Sequence, residues 1–203
     1  MNKYNFFKKI ILFINLLLSK LFFKKSRLIR FPIDIRGKKY IDFGINLTTG
    51  KYCRIEANSE DKNQKAIIFG KNIEINDFVH ITGFKKVIIE DNVLIASKVY
   101  ISDTTHGNYS GNNQSNPDSI VNKRQLFHKP VRICRNVWIG ESVSILPGVE
   151  IGENSIVGAN SVVTKSFPCN VIIAGNPAKI IKRYNFKTNK WERTNDKGDF
   201  INE

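Results

Sequence analysis

Cysteine, histidine and methionine are scarce in this chain of 203 residues, which has three, three and one of them. Cys53, Cys134 and Cys169 are odd in number and show no CxxC spacing, which excludes a disulfide framework and fits a reducing cytoplasm. Cys53 stands four positions after Thr49 and is read as a small core residue. A long apolar run is missing too. The longest stretch, Ile10 to Leu18, is broken by Asn15, whereas a bilayer span takes about 20 mostly apolar residues. A small-residue cleavage site is also missing, because Lys24, Lys25, Arg27 and Arg30 occupy that region; a secretory signal is not expected. Acid is nearly absent from residues 1–40, where eleven Lys/Arg meet only Asp34, a net +10 of the +14 total. The other 163 residues hold 21 bases and 17 acids, only +4, with no basic stripe interleaved with aromatics. Nucleic acid is therefore not an expected partner.

What the chain does have is a beat of six. An aliphatic residue recurs at Ile133, Ile139, Ile145, Ile151, Val157 and Val163, with Gly next at Gly140, Gly152 and Gly158. A small or β-branched residue follows four positions on, at Val137, Val143, Val149, Ser155 and Ser161. The beat also runs through Phe69, Ile75 and Ile81, slips by two, and resumes at Ile89, Ile95 and Ile101. A helix needs apolar spacing near 3.6 and a lone strand a spacing of two. A fixed period of six reads instead as a parallel β-helix, an all-β solenoid in which three units close a coil of about 18 residues. The repeated aliphatic points inward and stacks on its equivalent about 4.8 Å away. Gly at the next position lets the chain turn where a side chain would clash.

The chain divides into a basic, apolar N-terminal helix over 1–30, a β-helix over 31–173 and a C-terminal segment over 174–203. The N-terminal helix fits two roles: lying on an anionic membrane surface, or capping the open coil and joining subunits. Residues 104–130 break the period with 27 residues rich in Asn, Ser and Gly, a length expected only where a loop does something. Asn176 and Pro177 predict a short helix, with Asn176 as N-cap and AKIIKRY as its body. The tail from Asn185 is polar, with Trp191 as its one anchor candidate. His106, just past the last regular strand before the loop, carries an imidazole of pKa near 6.5, suited to a general base. A solvated loop histidine is the plain alternative.

The segments LIASKVYISDTTHG, VWIGESVSILPGVEIGENSIVGANSVVTKSFP and VIIAGNPAKIIKRY, in that order, resemble the hexapeptide-repeat acetyltransferases of the galactoside and maltose acetyltransferase type. YNFKTNKW is similar to the subgroup that O-acetylates lipopolysaccharide and capsule, and the likeness covers about residues 65–191. The resemblance implies a left-handed β-helix, acetyl-CoA as donor, a sugar hydroxyl as acceptor, no metal, and a homotrimer with active sites between subunits. It makes His106 the base in a direct transfer and the backbone N–H of Glu141 the oxyanion donor. Asp103 is placed either to orient His106 or to form an Asx-turn at the loop entrance. Asn76 matches an acceptor-contacting position, and Trp138 walls the cleft or a subunit contact. His80 is read as an acceptor contact or a packed coil residue. For CoA, the resemblance points to Gly140, Gly158 and Ala159 along the pantetheine, Thr164 and Lys165 beside the nucleotide, and Lys179 and Lys182 at the phosphates. Asn160 replaces a usual Gly, which a left-handed backbone tolerates.

Three other readings use the same fold. One is an N-acyltransferase on an amino-sugar nucleotide. Another is a zinc site of the γ-carbonic-anhydrase kind, against which the spacing of His80, His106 and His128 speaks, since it lacks a close HxxxxH pair. The third is a non-catalytic membrane-bound scaffold.

Overall fold

The computed structural model describes residues 5–201. After one helix, α1 (Phe6–Phe22), the chain winds through three parallel sheets in turn. Each strand pairs with its equivalent one coil on, as in the series Glu74–Ile75, Leu94–Ile95, Trp138–Ile139 and Ile156–Val157 of the first sheet. The second sheet contains His80–Gly83, Tyr100–Ser102, Ser144–Ile145 and Val162–Val163, and the third contains Val87–Ile89, Val131–Ile133 and Glu150–Ile151. This is a β-helix with three flat faces. Its first strand, Leu28–Ile29, lies inside the segment assigned by sequence to the N-terminal helix.

The six-residue beat lines the interior. Ile133, Ile139, Ile145, Ile151, Val157 and Val163 are all fully buried, and Val137, Val143 and Val149 nearly so. Each such side chain contributes roughly 1.5–3 kcal/mol by leaving water. The turns divide their work between two positions. The left-handed backbone falls three residues after the inward aliphatic, as at Asn136, Ser142, Asn154 and Asn160 with φ of 56° to 59°. Asn suits that region and also forms ladders between coils, Asn46 to Asn72 to Asn92 and Asn136 to Asn154 to Asn170, at 3.0–3.1 Å. Gly140 serves close approach: a Cβ there would lie 2.7 Å from the Ala159 nitrogen and 2.8 Å from the Val157 oxygen.

The inserted 104–130 segment contains an antiparallel pair, Thr104–His106 against Leu126–His128. The C-terminal helix expected from Asn176 and Pro177 is not formed. The Asn176–Pro177 bond is cis, and AKIIKRY forms the strand Ala178–Asn185, which turns back on Val171–Gly175. The reason is a period of two: Ala178 and Ile180 are buried while Lys179 and Ile181 are exposed, so the segment extends the sheet as one half-buried strand. Lys190–Arg193 adds a further strand, and Trp191 packs edge-on against Tyr184 at 5.4 Å. The tail thus closes the C-terminal end of the coil.

Candidate active site at two edges of one sheet

Most of the residues singled out from sequence gather at the two long edges of the second sheet. Along its first edge, where each coil leaves the first sheet, the stacked positions are Asn76, Ala96, Gly140, Gly158 and Ala174. They are held by N–H donation from Asn76 to Ile95, Ala96 to Ile139, Gly140 to Val157 and Gly158 to Ile173 at 2.8–2.9 Å. The column is narrow because it is small: even at Gly158 a Cβ would meet that of Ala174 at 3.0 Å. Ala159 and Glu141 are exposed beside it. The Glu141 side chain faces Lys98 at 3.3 Å and its carbonyl accepts from Asn160, while its N–H has no acceptor among the described residues.

The outward face of the first sheet runs alongside. There Leu94, Trp138, Ile156 and Ile172 are in register, and Trp138 is 49% exposed. The C-terminal hairpin sets a base at the end of each row: Lys179 pairs with Ala174, and Lys182 with Ile172. Lys179 holds an exposed ion pair with Asp196 at 2.5 Å. Towards the other end, Tyr52 and Phe78 occupy the left-handed turn position on this edge, more than half exposed, with rings stacked at 5.0 Å and 12°. Bulky side chains are uncommon there. Nothing in the six-residue beat singles these two out, since the beat reports inward positions only.

The hairpin leaves from the other edge. His106 is exposed on Thr104–His106. Its backbone is braced from the loop: Tyr109 donates its hydroxyl to the His106 carbonyl, Gly107 N–H donates to Gln125 at 3.0 Å, and Arg124 reaches Tyr109 at 2.8 Å. The expected contact from Asp103 to His106 is not made. The Asp103 carboxylate is fully buried and accepts from the N–H groups of Phe84, Lys85 and Lys86 at 2.7–3.1 Å. It also accepts the Thr104 hydroxyl at 2.7 Å, and Thr104 in turn meets His128 Nδ1 at 2.8 Å. Both expected roles for Asp103, orienting His106 and forming a local Asx-turn, give way to a clamp on the neighbouring turn.

His128 is the histidine that sequence reasoning left without a role. Thr104 uses its one proton on Asp103, so Nδ1 of His128 is the nitrogen that donates to it. The ring stacks on Phe84 at 5.5 Å. His128 pairs with Thr104, two positions from His106, so both histidines lie on one face of the hairpin. The signal was the alternation in LFHKP opposite TTH, legible only once the two were known to pair.

His80 lies between the two edges, on the outward face of the second sheet, edge-on to Tyr100 at 5.4 Å and 3.0 Å from the Thr82 hydroxyl. Burial, then the nearby Arg54 charge, lowers its pKa below 6.5. Thr164 and Lys165 follow Val162–Val163 at the hairpin's edge, away from the small-residue column. Cys53 and Cys134 are buried thiols, each pushed up to about 11 mainly by desolvation, which suits packing and not nucleophilic chemistry. No cluster of three metal-ligating side chains occurs among the described residues.

Comparison with known proteins gives these positions a context. Residues 130–165 match the bacterial transferase hexapeptide family, described as six repeats. The chain is 43% identical over 180 residues to WbbJ of Escherichia coli K12, named as a lipopolysaccharide-biosynthesis O-acetyltransferase, covering 88% of this chain and 90% of that one. Among solved structures, a galactoside acetyltransferase in complex with coenzyme A is 31% identical, with a TM-score of 0.52 over 76% of this chain and 72% of that chain. AntD, an N-acyltransferase from Bacillus cereus, shares the fold at a TM-score of 0.67 and 24% identity, over 93% of this chain and 94% of its own.

Proposed function

From the premise that this chain belongs to the bacterial hexapeptide-repeat transferase family, we propose that it O-acetylates a sugar hydroxyl of a surface polysaccharide or its precursor. It is an acetyl-CoA-dependent acyltransferase. The coil is left-handed in this reading, as in its family. The observation that carries the proposal is the first edge of the second sheet. There a run of small residues, Gly140, Gly158 and Ala174, ends at Lys179, beside an exposed Trp138 and a backbone N–H at Glu141 that has no acceptor among the described residues.

The column fits a long thin chain: pantetheine would lie along it, because any larger side chain would stand in its path. Lys179 and Lys182 at its end would meet the CoA phosphates as point charges, and Thr164 and Lys165, at the opposite edge, would lie beside the nucleotide held on a neighbouring subunit's column. Bound acetyl-CoA supplies the activated acyl group. His106 takes the proton from the acceptor hydroxyl as that oxygen attacks, and the Glu141 N–H donates to the charge developing on the carbonyl oxygen. Trp138 walls the cleft. Asn76, with His80 farther across the same sheet, faces the acceptor.

His106 leaves the coil at one edge of the second sheet and the Glu141 N–H stands at the other. A neighbouring subunit that turns its hairpin towards the column would complete the site, which supports a homotrimer with three sites between chains. An acetyl-CoA donor and a lipid-linked or polymeric acceptor would meet in the cytoplasm, at the inner face of the membrane.

The test is acetyl-CoA-dependent transfer to a panel of surface glycans and amino-sugar nucleotides, read by mass, with wild type beside His106→Ala. The expected result is an acetylated hydroxyl whose formation falls about 10²–10⁴-fold in the variant. An amide product would turn the reading to N-acylation. Wild-type rates in His106→Ala would remove His106 as base.

A further inference from the structure

Helix α1 turns its polar side to the protein and its apolar side away from it. Asn15 and Ser19, one turn apart, are buried, at 5% and 0% exposure. Ser19 Oγ accepts the Ile29 N–H at 2.7 Å and lies 2.5 Å from the Asn15 carbonyl, and Asn15 Oδ1 accepts the Phe31 N–H at 3.2 Å. These contacts answer the free side of the first strand, whose other side pairs with Thr48–Thr49. Two polar side chains therefore latch the helix across the open end of the coil. Most of what is large and apolar is left outside: Phe6, Phe7, Phe13, Leu17, Leu21 and Phe22 are each 54–73% exposed, while Leu12 and Leu18 are half-buried. A soluble amphipathic helix is arranged the other way round.

We propose that α1 is an interfacial anchor that lays this apolar side into an anionic lipid surface. Charge argues for that occupant. Lys8, Lys9, Lys20, Lys24 and Lys25 are exposed on and just after the helix, within a segment of net +10. A second copy of the same face would bring two such segments together, whereas anionic headgroups neutralise them. Geometry argues for lying on the surface, not crossing it. Seventeen residues rise about 26 Å, less than a hydrocarbon core of about 30 Å. No described helix is long and apolar enough to cross a membrane. The latch through Asn15 and Ser19 also holds the helix against the coil, which presents one side of it and withholds the other. The inference stands on the helix alone and does not depend on the acyl-transfer reading.

The experiment is cosedimentation of the full chain with vesicles of phosphatidylglycerol and phosphatidylethanolamine, and with vesicles of phosphatidylcholine alone. It takes wild type, the double variant Phe13→Glu/Leu17→Glu and the double variant Lys24→Gln/Lys25→Gln, each checked by circular dichroism and for oligomer size. Wild type is expected to sediment with the anionic vesicles and much less with the neutral ones. The glutamate variant should bind at least tenfold more weakly, and each lysine removed should cost about fivefold in affinity. The two glutamates sit on side chains 60% and 55% exposed, and the lysine variant reads the same surface without touching the apolar face. Absence of wild-type binding to anionic vesicles would overturn the proposal, as would equal binding by the glutamate variant. A glutamate variant that changes oligomer size while keeping its vesicle binding would make the face a subunit contact instead.

Discussion

Two residues three positions apart, Asp103 and His106, carry opposite kinds of weight. Asp103 is a fully buried carboxylate whose charge is answered by three backbone N–H groups and one hydroxyl. Replacing it with Ala leaves those donors without an acceptor, so Asp103→Ala should lower unfolding stability by about 3 kcal/mol, read by urea denaturation. His106 is exposed, and among the described residues its ring makes no hydrogen bond, so His106→Ala should leave the same transition in place while removing activity. The motif SDTTHG made His106 visible because a lone His at a loop entrance is a sparse chemical signal. It hid the work of Asp103, whose partners at Phe84, Lys85 and Lys86 are one coil away and are brought near only by stacking. Tyr52 and Phe78 were hidden for a related reason: they meet one coil apart on a turn, a relation that no local window contains.

At the scale of elements, α1 and the C-terminal strand were both read as helices from local signals, and only one is. The N-terminal pattern held over Phe6–Phe22 because that run contains no Gly or Pro and its Asn5 cap accepts the Lys8 N–H at 2.9 Å. In AKIIKRY the Asn-Pro start signal lost to a waiting sheet edge, the strand Val171–Gly175, whose hydrogen bonds needed a partner. The latch of α1 makes its own prediction. Ser19→Ala should cost about 1–3 kcal/mol by leaving the buried Ile29 N–H without its acceptor. Leu17→Ala, on the exposed side of the same helix, should stay within about 0.5 kcal/mol. Thermal melts of the two variants side by side distinguish this inverted helix from an ordinary amphipathic one, in which the leucine would matter more.

For the whole molecule the decisive feature is that His106 and the small-residue column stand at opposite edges of one sheet. If sites form between chains, two inactive variants should rescue each other. His106→Ala keeps an intact column, and Gly140→Trp, which fills the column, keeps an intact His106. Refolded together in equal amounts they should recover activity at about one quarter of the sites, by random assortment in a ring of heterologous contacts. No recovery from well-folded mixed oligomers would place both halves of the site in one chain. The sequence by itself determined the solenoid, because every coil must bury the same position and the period of six is that demand repeated along the chain. It also marked His106, VWIG and GNPAK, whose residue types are set by chemistry and close approach. Only the tertiary structure decided which of these positions share an edge, what Asp103 holds, which way α1 faces, and that the C-terminus is a strand. Each of these depends on which distant backbone lies alongside, and that is settled by the stacking of coils, not by any local run of residues.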